Sequence, residues 1–169
     1  MQICLTSQSN YEPKLSWYNL PAEVKRLLIA AANTWEDTAQ SEEYIHQALA
    51  IANQSLDVLV AAYRYFFYKH NDPAALQIAT QVVEQIRQSE GLPDEWDRLA
   101  PILICRKEDA TIRLYLNAYA ASGLVMARMG AIDEAKAIAA RVSEIDDKRE
   151  FGAATMLHIL THHDDEEEE

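Results

Sequence analysis

The chain has 169 residues, 27 acidic against 15 basic, and a formal charge of −12. That length holds one domain or one short repeat array with a core of its own, and the charge opposes nucleic-acid phosphates and anionic membrane surfaces. Charged residues interrupt every apolar stretch before the roughly 18–20 residues that span a bilayer, and the first apolar run ends at Leu5 with no basic segment before it, so a secretory signal is not expected.

The reading is therefore a cytoplasmic protein with no nucleic-acid and no membrane partner. Glycine is scarce at four residues, alanine is abundant, and β-branched residues form no alternating runs. This composition predicts an all-α fold of about seven or eight antiparallel helices. Residues 1–20 carry Ser7, Ser9, Asn10 and Pro13 without a period and read as an irregular arm able to dock through Leu15, Trp17 and Tyr18. Residues 21–162 read as one helical domain, and 163–169 as a disordered tail, because the like charges of Asp164 to Glu169 repel one another.

Pro21 suits a first helical turn, where its missing amide hydrogen leaves nothing unpaired; Val24, Leu27, Leu28, Ala31 and Trp35 then follow at helical spacing, to about Ala39. Ser41 is expected to cap a second helix through Tyr44, Ile45, Ala48 and Leu49. A third, about 56–70, carries Leu56, Leu59, Val60, Tyr63, Phe66 and Phe67 on one face and closes at Asn71-Asp72-Pro73, with Asp72 as the cap of the fourth. The fourth runs to Gly91, and Pro93 opens a fifth that ends near Cys105. The sixth presents two apolar stripes, one with Ile112, Leu116 and Tyr119, the other with Leu114, Ala118 and Val125, which predicts a central helix. Gly130 ends it; a returning helix spans 132–145 and a last one about 148–162.

The segment 119–142 resembles a tetratricopeptide repeat. Tyr119 is followed four places on by the small Gly123, Gly130 falls in the turn, and Ala135 stands five residues later. A second copy covers Val60 to Val83, with Arg64 at the small position and Leu76 at the alanine position; residues 22–53 read as a third, degenerate hairpin. An insertion separates the two clearer copies, so a compact bundle of hairpins stands beside an open array.

The resemblance implies that the first helix of each hairpin lines a concave face. Tyr65, Tyr68, Lys69, Asn117, Leu124 and Arg128 would then hold a peptide or helix of another protein, with Ala61 and Ala62 beside them. Alanine at 61 and 62 departs from the Lys and Asn pattern that clamps a C-terminal carboxylate. The function expected is a non-catalytic adaptor or assembly chaperone that needs no cofactor.

Two readings compete with it. His158 and His162 lie four apart beside His163, a spacing compatible with a metal in a helical-bundle enzyme or sensor. Alternatively Trp17, Tyr18 and the exposed tyrosines join copies of the chain as a homo-oligomer. No Gly-rich phosphate loop, nucleophile elbow or Cys-x-x-Cys occurs, and neighbouring acids such as Glu42-Glu43 point to different helix faces, so no catalytic residue and no metal ligand is assigned. Cys4 and Cys105 show no disulfide or zinc spacing and are expected as reduced thiols, Cys105 as a small buried hydrophobe.

Overall fold

The computed structural model describes residues 20–163, and at 154, 162 and 163 the backbone only. The leading arm with Leu15, Trp17 and Tyr18, the side chains of His162 and His163, and the tail 164–169 lie outside the described residues. Eight α-helices and no strand form among the described residues: α1 (Ala22–Asn33), α2 (Thr38–Ile51), α3 (Leu56–Tyr68), α4 (Asp72–Ser89), α5 (Trp96–Cys105), α6 (Ala110–Arg128), α7 (Ile132–Ile145) and α8 (Ala153–His163). None is long and apolar enough to cross a membrane.

Helices α1 with α2, α3 with α4, and α6 with α7 form three hairpins; α4 also packs along α6, and α8 rests on α7. The predicted centrality of α6 is realised, since it buries Ile112, Tyr115, Leu116, Ala118, Gly123 and Val125 around its circumference between α4 and α7. Gly123 allows that approach. A Cβ built there would stand 2.8 Å from Ile138 Cγ2 of α7, closer than two carbons can rest.

Several element ends shift because a nearer oxygen competes for the backbone. The first helix stops at Asn33 instead of 39, because the Thr34 hydroxyl donates to the Ala30 carbonyl at 2.7 Å and Asp37 then caps α2 by accepting from Gln40 N at 3.1 Å. Trp35 consequently lies in the connection. Ser41 is a fully buried residue of α2 instead of its cap. Asn71, not Asp72, caps α4, and α5 starts at Trp96, past Pro93. The last helix begins at Ala153 instead of 148, since the Asp146 carboxylate accepts from the amides of Glu150 (2.7 Å) and Phe151 (2.9 Å) and holds a loop there.

The core is graded along the array. A large cluster joins Leu59, Phe66, Ile86, Leu103, Ile112 and Leu116 at its centre; smaller ones lie under α1 (Val24, Leu27, Ala48, Val58) and under α8 (Ile138, Val142, Ala153). Cys105 corrects the sequence reading twice: it is exposed and disulfide-bonded. Leu99 and Leu103 face inward from α5, and two residues beyond Leu103 is about 200° around a helix, which turns Cys105 outward.

Candidate functional site

A trough runs between α3 and α6. The α3 side is built from Asp57, Val60, Ala61, Arg64 and Tyr68, and the α6 side from Ala110, Leu114, Asn117, Ala121 and Leu124. These are the i, i+3, i+4 and i+7 positions that share one face of a helix. The trough has two sections of about 510 Å³ each, one floored toward Leu20 and Leu114, the other walled by Phe67, Phe151 and Met156; Arg64 and Asn117 border both. A smaller hollow of about 250 Å³ lies on the other side of α3, against Leu28, Ala31 and Trp35, and Arg64 and Tyr68 border it too.

Of the residues expected to bind a partner, Tyr68, Asn117 and Leu124 come together here. Tyr68 is 66% exposed and Leu124 37%. Tyr65 is a correction: it is buried, its hydroxyl 2.5 Å from Ser41 Oγ and its ring edge-on to Trp35 and Phe66. Those contacts to Ser41 of α2 and to Trp35 join α3 to its neighbours, and what remains of Tyr65 borders the hollow beside α1 with Arg64 and Tyr68. Ala62 is likewise fully buried, whereas Ala61 borders the trough.

Lys69 and Arg128 carry their charge into the fold itself. The Lys69 ammonium donates to the Trp35 carbonyl and to Thr38 Oγ1 (3.3 Å) and sits 4.1 Å from the centre of the Trp35 ring. Arg128 donates to the Phe67 carbonyl at 3.1 Å, pairs with Asp72 at 3.4 Å and stacks 4.2 Å over the Phe67 ring. Both fasten helix ends, which removes them from the set of free recognition groups.

Sequence reasoning missed Arg64, Phe151 and Met156. Arg64 had a legible signal, being four residues from both Val60 and Tyr68 on the same stripe; Phe151 had none, because its place against α3 and α6 is a tertiary arrangement. The Arg64 side chain is exposed and makes no hydrogen bond or ion pair among the described residues. Arg113, farther along the trough, is held by Glu150 at 2.7 Å and by the Phe151 ring at 5.5 Å. Burial raises the Asp57 carboxyl above its ordinary range, so the acid nearest the trough ionises reluctantly.

The arrangement suits an extended or helical polypeptide: apolar walls, an amide at Asn117 to meet a backbone, and one uncommitted cation. No group of three metal-ligating side chains occurs among the described residues. His158 stands exposed on α8.

No family model matches the chain, and no solved structure matches it significantly. It is similar to the "Uncharacterized 19.8 kDa protein in nifW 5'region" of Azotobacter chroococcum mcd 1, with 33% identity over 147 residues, covering 85% of this chain and 81% of that protein.

Proposed function

The chain belongs to one family with this Azotobacter protein, and from that premise we propose that it is a non-catalytic adaptor or assembly chaperone of tetratricopeptide-like build, gripping a peptide or helix of another protein in the α3–α6 trough. The observation that carries the reading is the trough itself: two consecutive sections, one walled by Val60, Ala61 and Leu114 and the other by Tyr68, Leu124, Phe151 and Met156, long enough for several guest residues. The hairpin pairing and the Gly123 contact with Ile138 agree with the small-residue nesting that such repeats use. A cytosolic site of action belongs to the same proposal on the grounds of charge and hydropathy, and the Cys105 disulfide counts against it.

The relative is named for the region 5′ of nifW, which makes the nifW product one defined protein to try as guest. The test is a quantitative pull-down with wild type and a Tyr68→Ala/Leu124→Glu variant, each first shown to melt alike. Both side chains are exposed, so folding should change by only a few tenths of a kcal/mol. Recovery of the guest should fall at least tenfold, roughly 1.4 kcal/mol; equal recovery of every guest counts against the trough.

A further inference from the structure

We propose that the guest segment carries an internal aspartate or glutamate between apolar anchors, and that Arg64 pairs with it. The inference rests on the trough being the binding site and adds the chemistry of what enters it. The molecule is strongly acidic, 27 against 15, and its arginines are largely engaged: Arg87 with Glu84 and Asp94, Arg106 with Glu90 and Asp109, Arg113 with Glu150, Arg128 with Asp72. Arg64 has no such partner among the described residues, although it occupies the one place that borders both trough sections and the hollow beside α1. The side chains of Arg98 and Arg149 also make no hydrogen bond or ion pair among the described residues, but they border none of these spaces.

Position turns that free charge into selectivity. A guest laid along the trough covers Arg64, and a guanidinium taken out of water without a counter-charge is costly. A wholly apolar segment therefore binds at a penalty, a basic one is repelled, and one with a carboxylate at that point gains a forked pair of charge-assisted hydrogen bonds. Apolar contacts lie on both sides of it: Val60, Ala61 and Leu114 toward one end, Tyr68, Leu124 and Met156 toward the other. The carboxylate consequently falls inside the segment. The preference also runs against the net charge of the protein, which favours basic partners in general, so it is diagnostic of the trough.

The experiment selects a phage library of random twelve-residue peptides on the full-length chain. The peptides are fused at their C-termini, so that only side-chain carboxylates are offered. Expected are peptides enriched in Asp or Glu flanked by Leu, Ile, Phe or Trp. Synthetic copies with blocked termini should bind Arg64→Gln at least tenfold more weakly than wild type, with a smaller loss for Arg64→Lys. Peptides without acidic enrichment that lose binding to Leu124→Glu, yet bind Arg64→Gln as tightly as wild type, overturn the inference and leave the trough standing. Peptides indifferent to Leu124→Glu overturn both. Failure to enrich any peptide overturns it as well. Recovery only on baits with residues 164–169 changed to Asn and Gln, or with Glu12→Gln/Trp17→Ala in the leading arm, assigns the trough to the chain's own termini instead. A wild-type dimer that Arg64→Glu dissociates in light scattering assigns it to a second copy.

Discussion

The hydroxyl pair of Ser41 and Tyr65 shows how a residue with a familiar surface role becomes structural. Ser41 is fully buried, and its hydroxyl has two partners, the Thr38 carbonyl at 3.2 Å and the Tyr65 hydroxyl at 2.5 Å. Tyr65→Phe removes the bond to Ser41 and the longer one to the Thr38 carbonyl (3.5 Å) while leaving Ser41 satisfied, so the expected cost is about 1 kcal/mol in chemical denaturation, with guest binding unchanged. A tenfold loss of binding in that variant would return Tyr65 to the recognition set. Tyr115 offers a pH-dependent test. Burial pushes its phenol up to about 12, so as pH climbs past 10 the unfolded chain ionises first and the folded state loses ground between pH 10 and 12. The contribution amounts to about 1 kcal/mol at pH 11. Tyr115→Phe should show a shallower fall in stability from pH 8 to pH 11 than wild type; parallel profiles would contradict the assignment.

Between elements, close approach and loop closure matter more than helix propensity. The α6–α7 contact leaves no room for a methyl group at position 123, where Ile138 Cγ2 and Cβ stand 2.8 and 3.1 Å from an added Cβ. Gly123→Ala should therefore cost about 1–3 kcal/mol by overpacking, despite alanine's better helix propensity. Introduced into Ile138→Ala, the same change should cost far less, and a double-mutant cycle measures the difference. The Asp146 loop is a second joint. Its carboxylate holds the Glu150 and Phe151 amides, and Phe151 in turn walls the trough. Asp146→Ala should weaken guest binding and raise amide exchange in α8 by releasing that wall; exchange unchanged in α8 would show that the loop is held by other means.

At the scale of the whole molecule, stability should grade from the middle outward. Helix α6 lies between α4 and α7, whereas α1 leans chiefly on α2 and α8 chiefly on α7. Native-state hydrogen exchange should accordingly be slowest in α4 and α6 and fastest in α1 and α8; amides of α8 as durable as those of α6 would refute the gradient. Whereas the small residue at 123 was singled out only by the tetratricopeptide resemblance, the all-α class, the approximate number of helices and the centrality of α6 were legible in the residues, because each follows from composition or local periodicity. The stripe Val60, Arg64, Tyr68 was legible in the same way. The burial of Tyr65 against α2 and the fate of Lys69 and Arg128 as internal fasteners were decided only by tertiary structure. Their outcomes depend on which partner stands within 3–4 Å, and that partner comes from another helix: Ser41 from α2, Trp35 from the turn after α1, Asp72 from α4. A sequence fixes the face a residue takes on its own helix, but the identity of the neighbour that meets that face arises from packing.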